Sequence, residues 1–259
     1  NILFLYSILL MRIFFILIAT LYPYYLHSKD INLQYEIDWN SIHLADIFWS
    51  ISINKNEYEI DFLIKSYGLT DKIYNYESLT SVNGYIQKNH LRPLKYSSKT
   101  KSSNQDVYSN IEFDNDGKIA SFDISKQISE DQVQMQKKIL DKYLYFTDPI
   151  SQITQYFIYK INSDRSIVDG LNIYELISEA LPSYNFKENN PTIYQGEVDI
   201  LKLTFPFFQG LHKSEKKNNL KEIKMYNANI QNTNIPVKFD IISKKFNAKL
   251  YLKSFEINE

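Results

Sequence analysis

The stretch "LQYEIDWNSIHLADIFWSISINKNEYEIDFLIKSYGL", residues 33 to 69, decides the fold. Leu33, Tyr35, Ile37 and Trp39 alternate with Gln34, Glu36 and Asp38. Ile47, Trp49, Ile51 and Ile53 repeat the step, and Tyr58, Ile60, Phe62 and Ile64 carry it towards Gly68. Successive side chains of an extended chain point to opposite faces, so a period of two marks half-buried strands. The polar "NKNE" at 54 to 57 breaks the run as a hairpin turn.

The same pattern predicts strands around 81–86, 94–99, 107–113, 119–124, 167–177, 196–205, 221–226, 236–242 and 246–257. "DNDG" at 114 to 117 is a strong hairpin signal between two of them. Strands do not alternate with helices, which argues against a parallel α/β sheet. A sheet of about ten strands curls rather than staying flat. The expectation is a mainly β fold: one antiparallel, strongly curved sheet, a half-barrel or open barrel, with one amphipathic helix on its concave side.

That helix is read from "TDPISQITQYFIYKIN", residues 147 to 162, where Ile150, Ile153, Phe157 and Ile161 share one face and Gln152, Gln155 and Tyr159 fall opposite. Asp148 is suited to accept from the free N–H groups of the first turn, and Pro149 loses no hydrogen bond at the first helical position. "SEDQVQMQKKIL" from Ser129 suggests a second short helix with poor apolar spacing. "LPSYNFKENNP" at 181 to 191 and "HKSEKKNN" at 212 to 219 read as solvated loops.

Residues 1 to 28 carry a single charge, Arg12, in an otherwise apolar and aromatic run. Met11-Arg12 followed by "IFFILIATL" has the basic start and apolar stretch of a signal peptide, so Met11 is read as the true start, with cleavage near Ser28. The alternative is an N-terminal membrane anchor over residues 1 to 26, whose length approaches the ~20 apolar residues that span a bilayer. Residues 29 to 259 then form a single exported, periplasmic β-rich domain, with membrane contact only through the N-terminal segment.

The chain has 29 basic and 30 acidic residues; removing Arg12 with residues 1 to 28 leaves a net charge of −2. Near-neutrality with mixed signs argues against nucleic-acid binding. Zero cysteines exclude disulfides, thiol catalysis and Cys-ligated metals. His27, His43, His90 and His212 form no chelating pair, so no metal is expected. No glycine motif for phosphate or dinucleotide and no G-x-S-x-G elbow is present, so no cofactor and no catalytic residue is assigned.

Asp148-Pro149 and Asp169-Gly170 therefore read first as structural motifs, a helix cap and a tight turn. The aromatic side chains Trp39, Trp49, Tyr58, Phe62 and Phe157, with Tyr67 and "FPFF" at 205 to 208, either fill the core or line a lipophilic cavity in the curled sheet.

Seven short stretches in order resemble an exported bacterial family known as domain of unknown function 3108. They are "YEIDW" at 35, "SYGL" at 66, "VNGYIQKNHLRPLKY" at 82, "TDPISQI" at 147, "IVDGLNIYEL" at 167, "FPFFQG" at 205 and "IPVKFDI" at 235. The likeness runs from about Asn32 to Glu259 and implies an exported, β-rich fold with no established activity. Members often carry glycines where this chain has "NSIHLAD", and cysteines where it reads "KINSDRSIVDG" and "VDILKLTFP", so a disulfide between those regions is absent here.

These readings favour a non-enzymatic binding or envelope-maintenance module for an apolar or amphipathic envelope component, with a lipid or an envelope protein as partner. The alternative is a structural module pairing through an exposed strand edge. A hydrolase using Asp148 and Asp169 is the third reading, and requires the two carboxyls within several ångströms of one another.

Overall fold

The computed structural model describes residues 28–103, 105–125, 129–161, 165–187, 193–210, 220–244 and 246–258. The alternating stretch becomes three long strands, β1 (Ser28–Trp39), β2 (Ile42–Asn54) and β3 (Glu57–Ser66). The meander continues through β4 (Glu77–Gln87), β5 (His90–Ser102), β6 (Gln105–Phe113) and β7 (Ile119–Ile124). The second half comprises β8 (Phe146–Thr147), β9 (Arg165–Val168), β10 (Asn172–Phe186), β11 (Gly196–Thr204), β12 (Phe208–Gly210), β13 (Leu220–Ile230), β14 (Thr233–Ser243) and β15 (Asn247–Asn258). The helices are α1 (Gly68–Tyr74), α2 (Glu130–Leu140) and α3 (Pro149–Tyr159).

All strands join one sheet in the order β7-β6-β5-β4-β3-β2-β1-β15-β14-β13-β11-β10-β9-β8, with β12 added to β10. Pairing of β1 with β15, from Asp30 opposite Asn258 to Asp38 opposite Lys249, welds the two halves. Only six glycines are present, and several tight turns use other residues: Asn40-Ser41, Lys88-Asn89 and Gln231-Asn232 all take positive φ, the conformation of two-residue hairpin turns. Asn is the side chain that tolerates this region best after glycine.

Register shifts at Gln34/Tyr35, Asn83/Gly84, Glu112/Phe113 and Tyr226/Asn227 bend the strands and deepen the twist. At Gly84 the β5 backbone comes so close that a Cβ would strike the Arg92 carbonyl. The curled sheet brings its ends together. The Phe146 N–H at β8 donates to the Gly117 carbonyl in the β6–β7 turn, 2.8 Å away. Gly170, after β9, abuts Ser109 on β6 so tightly that a Cβ there would overlap its side chain. The result is a nearly closed, barrel-like sheet.

Three expectations need correction. Among the described residues there are three helices, where one was expected on the concave side and a second suggested from Ser129. α2 forms despite its poor apolar spacing because Ser129 and Gln132 make a reciprocal capping box, and Gln136 and Ile139 are buried. The sheet is not wholly antiparallel, since the two-residue β8 pairs parallel with β9. Residues 181–186 of the expected loop are instead the end of β10, and Phe186 is fully buried. The signal or anchor segment before Ser28 and the loop at 212–219 lie outside the described residues. Among the described residues, no helix is long and apolar enough to cross a membrane.

Candidate functional site

α3 lies inside the curl and is enclosed on both faces: Phe157 is fully buried, and so are the polar Ser151, Gln152, Thr154 and Gln155. Gln152 and Gln155, expected opposite the apolar face, therefore do not meet solvent. A helix with polar side chains inside a core needs partners for them. The Tyr58 and Ser151 hydroxyls share a 2.8 Å hydrogen bond, and the Leu91 N–H donates to Gln155 Oε1 at 2.9 Å. At the far end Asn234 Nδ2 donates to the Phe157 carbonyl at 2.8 Å, and Lys160 Nζ meets Asp199 Oδ2 at 3.0 Å. The last bond holds the Asp199 carboxyl below its usual range.

Asp148 starts the helix. Its Oδ1 accepts from the Ile150 and Ser151 N–H groups at 2.9 and 2.8 Å, while Oδ2 is buried without a partner. Burial outweighs these bonds and pushes its pKa up to about 6.

Asp169 closes the β9–β10 turn. Its Oδ1 accepts from the Leu171 and Asn172 N–H groups at 2.9 and 2.7 Å, the Asn172 side-chain amide reaches both oxygens, and Gly170 takes φ +91°. Burial raises this carboxyl too. Both carboxylates bear on two phenols, Tyr96 of β5 and Tyr174 of β10. Burial raises both phenols first, and the charges of Asp169 and Asp148 raise them further. The fold thus gathers Asp148, Asp169, Tyr96 and Tyr174 around one polar region beside the N-terminal turn of α3, with both carboxylates also engaged in capping their own backbone.

Next to this cluster is an apolar pocket of about 220 Å³ between α3, β9, β10, β12 and β13. Ile153, Leu176, Phe205 and Ile223 contribute its apolar walls, and Asp169 and Tyr174 its polar groups. The Tyr174 ring stacks on Phe208 at 5.8 Å and meets Phe205 edge-on at 5.9 Å. Two rings of "FPFF" therefore sit at this pocket.

The other aromatic candidates are elsewhere. Trp49 packs edge-on against Phe62 at 5.0 Å and Phe157 at 5.3 Å, one interlocked cluster under the opposite side of α3. Tyr58 is spent on Ser151, and Trp39 stands half exposed at the β1–β2 turn. Tyr67 stacks on His43 at 4.1 Å. Of the named aromatic candidates, Trp49, Tyr58, Phe62 and Phe157 pack with or against α3, whereas Trp39 and Tyr67 lie at a rim of the barrel.

A profile described as "Protein of unknown function (DUF3108)" matches residues 34–253, most of the chain. The chain belongs to the DUF3108 family. No curated protein matches it. Among solved structures, this DUF3108 chain is similar to a beta-barrel-like protein of domain of unknown function DUF1849 from Brucella abortus, at 8% identity and TM-score 0.42, covering 90% of this chain and 98% of that one. A DUF1329 family protein from Desulfovibrio piger ATCC 29098 aligns at 8% identity and TM-score 0.27, covering 90% and 86%.

Two groups in this DUF3108 domain were not singled out by sequence reasoning. Tyr96 and Tyr174 fall within the expected strands 94–99 and 167–177, and only the curl brings them to the carboxylates. Lys238 on β14 is nearly enclosed: its ammonium lies 4.9, 5.7 and 5.8 Å from the Tyr226, Phe186 and Tyr251 rings and 3.4 Å from Asp240 Oδ1. Strand alternation carries a hint, since Lys238 stands directly between Tyr226 and Tyr251 across the sheet, but Phe186 arrives from β10. Among the described residues, no group of His, Asp and Glu is arranged to hold a metal ion.

Proposed function

We propose that this domain is a non-enzymatic, exported binding module that holds the apolar end of an envelope amphiphile in the pocket beside α3. The pocket carries the reading: its lining is apolar apart from Asp169 and Tyr174, the composition of a site that orients an apolar ligand by few polar contacts. Sites that enclose a drug-sized molecule run to roughly 300–1,000 Å³. At about 220 Å³ this pocket takes a chain end or a single ring, and the remainder of the ligand stays outside. The apolar run over residues 1 to 26 supports export to, or anchoring at, the envelope.

α3 is a fixed plug in this reading, because both its ends and its middle are bonded to strands, and ligand enters beside it rather than beneath it. Strand-edge pairing is less favoured. The terminal strand β7 has α2 beside it, with Val133 and Leu140 lining the same depression as Ile119 and Phe122.

The test is native mass spectrometry of the full chain purified from its own envelope fraction, with lipid extraction of any adduct. A stoichiometric lipid-like adduct that is lost in Ile223→Trp, which fills the pocket, is the expected result. A clean unliganded mass across several preparations, or an adduct indifferent to Ile223→Trp, overturns the reading.

A further inference from the structure

At one end of the barrel the usual logic of burial is inverted. α1 has no buried residue, although its sequence carries Leu69, Ile73 and Tyr74, which are 74%, 60% and 56% exposed. A surface helix ordinarily turns such side chains to the core. Tyr67 and Tyr76 flank α1 and are also exposed, and Trp39 and Ile42 stand exposed across from each other at the neighbouring β1–β2 turn. Backbone bonds lock these pieces together: the Tyr67 N–H donates to the Leu44 carbonyl, and the Ser66 N–H to that of Tyr76, at 2.9 and 2.8 Å. On the far side, Ser103 donates to the Tyr74 carbonyl through both its N–H and its hydroxyl. The rim is thus a held surface, with seven large apolar or aromatic side chains turned outward.

We propose that this rim inserts shallowly into the interfacial region of a lipid bilayer. Its chemistry is that of interfacial anchors: Trp and Tyr place an apolar ring in the acyl boundary and a polar atom among headgroups, and Leu and Ile add apolar depth. The exposed acid beside Tyr76, Glu77, stands opposite the exposed Lys65 and Lys101 in the sheet, so the rim does not repel an anionic surface. Lys72 of α1 is exposed, while the single acid of the helix, Asp71, is turned back to accept from the Ser66 hydroxyl at 2.7 Å. High exposure of Leu69 and Ile73 on the helix between β3 and β4 makes the rim a protrusion, the shape that enters lipid and not one that receives a peptide. The rim lies at the far end of β1 from Ser28, about 40 Å away for a strand of twelve residues. The rim is therefore remote from Ser28.

The sheet closes on itself through the β1–β15 pairing and the Phe146–Gly117 bond, so residues 28–259 hold a complete core and are the unit assayed. Vesicles of phosphatidylethanolamine and phosphatidylglycerol are the probe. Trp39 reports the contact, because Trp49, the only other tryptophan, is buried under α3. The expected result is a blue shift of emission on adding vesicles, quenching by brominated lipid that disappears in Trp39→Phe, and about a tenfold or greater loss of vesicle partition in Leu69→Asp/Ile73→Asp. Since α1 buries nothing, the double variant should keep the parent melting temperature, which separates lost binding from lost folding. Absence of quenching, partition unchanged in the double variant, or a concentration-dependent dimer that dissolves in that variant each overturns the proposal; the last would assign the rim to a second copy of the chain.

Discussion

Asp148 offers the sharpest perturbation, because its cap and its charge act in opposite directions on stability. Capping α3 contributes about 1 kcal/mol and requires only an oxygen acceptor. Charge is a separate matter. The folded-state pKa stands at about 6 against an ordinary 3.8, so the native state holds the proton more tightly than the unfolded chain does. That contribution is fully present below pH 3.8 and is lost as pH rises through about 6. Each pH unit between the two values is worth about 1.4 kcal/mol, so ionising Asp148 removes about 3 kcal/mol of stability by neutral pH. Asp148→Asn keeps an acceptor for the Ile150 and Ser151 N–H groups but has no charge to titrate. Urea unfolding of both proteins between about pH 4 and 7 should show the parent losing up to about 3 kcal/mol relative to the Asp148→Asn variant, mostly above pH 4. Asp148→Ala lacks both the charge and the cap, so it should lie about 1 kcal/mol below Asp148→Asn at every pH. Parallel pH profiles for parent and Asp148→Asn would refute the reasoning, since they would mean that Oδ2 is solvated or partnered in the native state.

Phe157→Ala empties the centre of the plug, where Phe157 is fully buried against Trp49, and should cost about 3–5 kcal/mol in urea unfolding, with a change in Trp49 emission. Gly170→Ala puts a Cβ into the Ser109 side chain at φ +91°, and should cost about 2–4 kcal/mol; adding Ser109→Gly should recover the overlap but not the backbone strain, a partial rescue readable in a double-mutant cycle. Lys238→Ala removes the cation from its three rings and leaves Asp240 without that partner, for a loss of about 3 kcal/mol by thermal unfolding.

Most of the sheet was legible because a period of two survives whatever neighbours a strand later acquires. β1, β2 and β3 alternate from Ile31 to Ser66 because one side faces α3 and the other faces water. α3 was legible from both ends of the argument, its cap at Asp148-Pro149 and its apolar spacing. α1 was hidden for the reason that makes it interesting: with Leu69, Ile73 and Tyr74 all outward, it has no inward stripe to read. β8 is too short for any periodicity, the expected strand 167–177 is divided by the Asp169-Gly170 turn into β9 and the start of β10, and β8 and β9 owe their parallel pairing to the return of the chain after α3. The end of β10 looked like a loop because Pro182, Ser183 and Asn185 are turn formers; Phe186 and the pairing to β11 override them. At the site, Asp148, Asp169, Phe205 and Phe208 could be named individually, but their assembly with Tyr96 and Tyr174 depends on contacts between residues far apart in sequence.

The polar contents of the barrel explain why a pocket persists beside so well-packed a helix. An all-apolar α3 could rotate or slide to fill any space in a hydrophobic interior at little cost. This helix cannot, because moving it breaks the buried Tyr58–Ser151, Leu91–Gln155 and Asn234–Phe157 bonds. Losing a hydrogen bond to a buried group costs about 1–3 kcal/mol. Those bonds tie α3 to β3, β5 and β14, and the interlocked rings of Trp49, Phe62 and Phe157 fill that flank. The flank towards β10 and β13 presents Pro149 and Ile153, side chains with no polar group to bond, and it is there that the 220 Å³ pocket lies. Substituting Gln155 by Leu and Ser151 by Ala together would free the helix to settle towards β10, so loss of any bound amphiphile in that variant, with a native-like unfolding transition, would show that pinning of the plug is what keeps the pocket open.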